Sequence, residues 1–343
     1  MNRLSRLGLG LTVVVSGGLC FGLLGQSAGW QNLRLRVGAL AQHIGGPAPE
    51  LDELQAQGID LARSTRIDLD ELLSGGPPKD GIPSIDSPQF DSAETTPYGD
   101  DAVIIGVVIN GDAVAYPIGI LNWHEIVNDT VGGQNISVTY CPLCDTALVV
   151  DRGNRTFGVS GQLYQSCLVM YDRADDTLYA QPWALGIVGP QVNRFLVPIP
   201  TAKTTLGRWL AQHPNSKILS TDTGHSRNYT DYPYGTYNTD EAIYFPVRNQ
   251  ANRELHPKAP ISYLWQADGG TPFNTFSGEH LAVSHAAVEQ VGVILVDFAG
   301  QQVRIYWDAA LQTVQAETVN GDPVTTSPAF AFVYPAFFND SLL

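Results

Sequence analysis

A chain of 343 residues, 44% of them hydrophobic, is long enough to bury one large core or two smaller ones, so its stability does not depend on disulfides. Nineteen basic against 34 acidic residues give a formal net charge of −15. Such a surface repels phosphate backbones, and with no basic stripe interleaved with aromatics the composition excludes nucleic acid as a partner.

The chain begins with Arg3 and Arg6, followed by an uncharged stretch that runs from Leu7 through Leu33. The apolar run 7–24 exceeds the usual signal-peptide core and approaches the length that spans a bilayer. No clean small-x-small site is written near Ser27 or Ala28. Residues 1–28 therefore read as a signal peptide or as an uncleaved signal anchor. Both put the bulk of the chain outside the cytoplasm, periplasmic or secreted and in the second case tethered to a membrane, where disulfides are permitted.

Residues 29–95 form a lead-in segment. Weak helical periodicity marks 33–44 and 51–61, and Gly75-Gly76-Pro77-Pro78-Lys79-Asp80-Gly81-Ile82-Pro83 is a turn-rich loop. From about residue 96 to 343 the texture is that of a sheet protein. Asn110-Gly111 between 103–109 and 113–116 is the strongest hairpin signal, and Asn320-Gly321 is a second. Further strands are expected at 147–150, 157–159, 168–171, 293–298 and 303–307. Helices are few: a short one at 123–127, and one at 205–213 with Leu206, Trp209 and Leu210 on one face. The Pro-, Tyr- and Asn-rich run 222–244 reads as a long loop, and loops of that length tend to be functional or to cover something. The expected fold class is mainly β with a few short helices, α+β, in a single large β-rich domain.

Chemistry concentrates at Tyr140-Cys141-Pro142-Leu143-Cys144-Asp145. Two thiols three positions apart can share a metal ion, close a small disulfide ring or cycle between the two redox states. Pro142 and the flanking apolar runs suggest a knuckle between two strands rather than the helix start of a thioredoxin-like pair. The preferred reading is an extracytoplasmic thiol redox protein, with Cys141 or Cys144 as the reactive sulfur and His124 or Glu125 assisting proton transfer. Its substrate would be a small molecule or a redox partner. In the alternative, zinc, copper or iron is held by Cys141, Cys144 and His124, with His225, Asp80 or Cys167 completing the set. The third reading is a binding module with a structural cysteine pair, in which the Tyr-rich loop holds a small ligand. His124 serves equally well in a buried turn, Asp80 as a turn former and Cys167 as a small buried residue. His-Glu without a second histidine at the zincin spacing argues against a protease, and the Gly-rich loop has no Gly-Lys-Ser/Thr ending that would make it a phosphate loop.

The Gly75–Pro83 loop, Trp123-His124-Glu125-Ile126-Val127-Asn128-Asp129, Cys141-Pro142-Leu143-Cys144, Met170-Tyr171-Asp172-Arg173 and Leu219-Ser220-Thr221-Asp222-Thr223-Gly224 occur in an order that resembles the domain of unknown function 3179 family, over about residues 72–334. The resemblance implies an exported or membrane-associated protein, and a family in which some members carry selenocysteine. A selenol points to redox or soft-metal chemistry, because packing has no use for it. This chain has ordinary cysteine throughout. It departs from the family in Asp145, where the family is associated with a small or polar residue such as Gly or Asn.

Overall fold

The computed structural model describes residues 49–249, 255–266 and 278–338, and among these residues it has twenty-one strands and five short α-helices. The mainly β, α+β class expected from the sequence is the class observed. Segments 1–28 and 33–44 lie outside the described residues.

The Asn110-Gly111 hairpin forms. Val103–Ile109 pairs antiparallel with Asp112–Pro117, and Asn110 and Gly111 stand at φ 51° and 83°, the left-handed pair that a two-residue turn needs. Ala202–Thr205 extends this sheet on one side, with Lys217–Leu219 and Phe90–Asp91 on the other. A second sheet runs Pro198–Ile199, Thr146–Asp151, Gln134–Cys141, Ile126–Val131, and a third runs Leu72–Ser74, Phe157–Tyr164, Cys167–Asp172, Leu178–Ala180, Leu185–Val188. Phe157–Tyr164 and Cys167–Asp172 are buried at every position, the pattern of strands covered on both faces. By contrast, burial along Val293–Phe298 alternates, as expected of a strand with one solvated face.

The helix expected at 123–127 lies further upstream, at Ile118–His124. Glu125 ends it by turning left-handed, at φ 59°. The β-branched Ile126 and Val127 then leave as a strand, because Thr139 and Val138 of the next strand pair with them. The predicted helix at 205–213 is Leu206–Gln212, with Leu206 and Trp209 buried. Thr205 does not cap it through its side chain; its hydroxyl instead accepts from Arg208 Nη1 at 3.1 Å.

The largest core gathers the third sheet, Cys141, Leu143, Cys144, strand Pro260–Trp265 and helix Val333–Phe338. Phe330 N–H donates to the Cys144 carbonyl at 2.8 Å and so ties the C-terminal elements to the cysteine turn. Residues 220–249, which include the predicted long loop, carry no helix or strand. They run across the molecule as a strap with three kinds of fastening. Trp123 Nε1 donates to the Asp231 carbonyl at 3.2 Å, and Tyr237 Oη donates to the Leu143 carbonyl at 2.8 Å. Buried Lys258 Nζ donates to the carbonyls of Asp240 and Ala242 at 2.5 and 2.6 Å.

Candidate functional site

Cys141 is the last residue of strand Gln134–Cys141, and Thr146 opens the next strand opposite it. The cysteine turn is therefore the strand-to-strand knuckle expected from Pro142. Asp145 closes it at φ 55°, a conformation that glycine or asparagine adopts more readily. The strained backbone is compensated by the side chain: Asp145 Oδ1 accepts from Tyr140 Oη at 2.8 Å and pairs with Lys203 Nζ.

The adjacent hairpin between Phe157–Tyr164 and Cys167–Asp172 brings the third cysteine to the same place. Cys141, Cys144 and Cys167 are all free and all at most 2% exposed. Burial opposes ionisation of all three. At Cys141 it is outweighed by hydrogen bonds from the thiols of Cys144 and Cys167 and from the amides of Leu168 and Cys144, and the thiol is pushed well below its ordinary value. The Leu168 N–H lies 3.3 Å from Cys141 Sγ. Burial pushes the other two thiols well up. The arrangement thus favours the charged form at Cys141 and the neutral form at Cys144 and Cys167.

A buried polar chain runs beside Cys144. Thr146 Oγ1 donates to Gln181 Oε1 at 2.5 Å and lies 3.0 Å from Cys144 Sγ. Gln181 Nε2 donates to Thr139 Oγ1 at 3.1 Å, and Thr139 Oγ1 donates to the Leu148 carbonyl at 2.8 Å. A Thr146 or Gln181 replaced by an apolar residue would leave its buried partner unmatched.

Beside the cysteine turn lies a cavity of about 350 Å³ whose wall includes Leu143 and Leu168, Val159, Gly161 and Leu163 from the third sheet, and Pro233, Tyr234, Tyr244 and Phe245 from the strap. Leu143 lies between the two cysteines of the motif, and Leu168 is the residue whose amide reaches Cys141. Both are sequence neighbours of a cysteine, while no cysteine itself lines the cavity. Gly161 is required in the wall: at φ 80°, an added Cβ would stand 2.2 Å from the Pro77 carbonyl oxygen. Glu125 also faces the cavity, and its Oε1 accepts from Tyr234 Oη at 3.4 Å. The left-handed turn that ends the helix is what aims it there.

The other residues singled out from the sequence lie elsewhere. His124 is fully buried, with Nδ1 2.7 Å from the Pro83 carbonyl and Nε2 2.8 Å from Tyr229 Oη. The carbonyl can only accept, so Nδ1 carries the proton and Nε2 accepts from Tyr229. Burial lowers its pKa to about 4, helped by the nearby charges of His225 and Arg227. His225 comes to it from the strap, with ring centroids 5.3 Å apart. Asp80 belongs to a third network, accepting from Tyr171 Oη at 2.5 Å beside Arg173, which pairs with Asp86 at 2.7 Å. Asp172 and Arg173 form no ion pair with each other, because Asp172 is taken by Arg155. Among the described residues no group of three or more His, Cys, Asp or Glu side chains is placed to hold one metal ion.

Sequence reasoning underrated Cys167, which is a full member of the thiol cluster. It also missed Thr146, Gln181 and the Leu168 amide. Gln181 leaves one signal, a polar residue inside the apolar run Leu178-Tyr179-Ala180-Gln181-Pro182-Trp183. A backbone amide leaves none.

The family described as "Protein of unknown function (DUF3179)" matches residues 79–328, and the chain belongs to it. No curated protein and no solved structure matches the chain.

Proposed function

We propose that this chain is an extracytoplasmic dithiol redox protein in which Cys141 attacks and Cys144 resolves, acting on a small, largely apolar molecule that carries a weak S–S or O–O bond. The observation that carries the reading is that amide and thiol donors converge on one sulfur, Cys141 Sγ, in a turn whose Leu143 lines an apolar cavity together with Leu168. The Cys141 thiolate attacks one atom of the weak bond; the other atom leaves with the bonding pair and takes up a proton. A disulfide substrate leaves a mixed disulfide on Cys141 and frees one thiol. A hydroperoxide leaves a sulfenic acid and frees an alcohol. Cys144 then attacks the Cys141 sulfur, forming the Cys141–Cys144 disulfide and releasing the second thiol or water. Two electrons pass to the substrate, and an external dithiol reductant restores the starting state.

Burial sets the substrate class, since sulfurs at most 2% exposed are out of reach of a disulfide on a folded protein. A molecule that fits the cavity can reach them past Leu143 and Leu168. Glu125 and Tyr234 take its polar end. The extracytoplasmic location rests on the leader-like residues 1–28.

Reduced protein treated with cumene hydroperoxide, or in a second arm with a small aromatic disulfide, tests the reading by peptide mass mapping. The expected product is one Cys141–Cys144 disulfide per chain, and Cys144→Ser should accumulate the adduct on Cys141. No oxidation in either arm, or an adduct on another sulfur, would overturn it.

A further inference from the structure

On the other side of the same turn lies a second cavity, of about 210 Å³, whose chemistry is opposite to that of the first. Leu143 faces the apolar cavity, and Asp145, two residues on, faces this one together with Lys203, Thr205, Arg208 and His285.

The charges on its wall can be counted. Lys203 is paired with Asp145. His285 is neutral at pH 7: its Nε2 lies 2.9 Å from Ser262 Oγ, the ring also bonds the Ile261 backbone, and burial together with the Lys203 charge lowers its pKa to about 4. Arg208 is half-buried, and its one hydrogen bond among the described residues goes to Thr205 Oγ1 at 3.1 Å, with no carboxylate paired to it. The wall therefore carries two cations and one anion. A guanidinium with most of its fork unspent lines a partly open cleft, in a chain where carboxylates outnumber cations 34 to 19. The guanidinium fork matches the two oxygens of a carboxylate or phosphate, and a cavity wall of low dielectric strengthens that attraction.

We infer that this cavity binds a small oxyanion, a phosphate or a carboxylate, held by the Arg208 fork with Lys203 as the second cation and the Thr205 hydroxyl as a further donor. The site is independent of the thiol chemistry, although the anion would meet Lys203 in competition with Asp145, the residue after Cys144.

Isothermal titration of the full chain with inorganic phosphate, and separately with acetate, tests this against chloride at equal ionic strength. Saturable one-to-one binding of either oxyanion, with a Kd of about 1 mM or tighter, is the expected result, and the arm that saturates identifies the source. Arg208→Gln keeps a donor to Thr205 and should weaken binding at least about tenfold with an unchanged melting temperature in the anion-free protein. Arg208→Lys, which keeps the charge but not the fork, should fall between. Heats that only track ionic strength as chloride does, or binding unchanged in Arg208→Gln, would overturn the site.

Discussion

The cysteine turn and the His124 pocket are the two most suggestive motifs of the sequence, and they fold into opposite kinds of buried environment. At the cysteine turn, donors from the turn itself and from one neighbouring strand converge on Cys141 and favour its charged form beside a cavity large enough for a ligand. At His124, each ring nitrogen is matched by one partner, and burial keeps the ring neutral. Burial alone therefore does not distinguish a reactive group from a structural one. What separates the two is whether the neighbours stabilise the charged state or complete the hydrogen bonding of the neutral one.

The sharpest break of this comparison is Cys141→Ser, which should lower the rate of peroxide or disulfide reduction on the order of a thousandfold or more, since the attacking thiolate is gone. His124→Gln should leave that rate within about tenfold, the span that the loss of one ordinary hydrogen bond covers. An equal loss in both variants would erase the distinction. Gly161→Ala, measured by denaturant unfolding, should cost about 3 kcal/mol or more, because the new Cβ meets the Pro77 carbonyl oxygen in a left-handed conformation.

The His124 side of the comparison has its own signature in pH. The unfolded chain protonates this imidazole near 6.5 and the folded chain near 4, so the unfolded state binds more protons between those values. Stability should therefore be full above about pH 6.5 and fall as the pH drops toward 4, by on the order of 3 kcal/mol. In His124→Gln that part of the acid slope should disappear. The smallest effect is expected at the strap: Tyr237→Phe removes the hydrogen bond to the Leu143 carbonyl and should cost about 1 kcal/mol while raising the rate at which Cys141 is alkylated. An unchanged alkylation rate would mean that the strap does not gate the sulfurs.

The knuckle, the Asn110-Gly111 hairpin and the strap were legible because each rests on local chemistry: the proline between two cysteines, a dipeptide suited to positive φ, and a run poor in periodic apolar residues. The displaced helix was not, since Ile126 and Val127 follow a partner strand that no local window contains. Convergence was the least legible property. Cys167 reaches Cys141 only because a separate hairpin packs beside the knuckle, and the decisive donor is a main-chain amide that any residue at position 168 other than proline would provide.

The most direct measurement is the ultraviolet thiolate absorbance of the reduced protein as a function of pH, in the parent chain and in the single serine variants of Cys141, Cys144 and Cys167. The expected result is one thiolate titrating well below the ordinary thiol value of about 8.5, absent in Cys141→Ser and retained in the other two. A low titration that survives in Cys141→Ser, or no low titration at all, would contradict the assignment of Cys141 as the reactive sulfur.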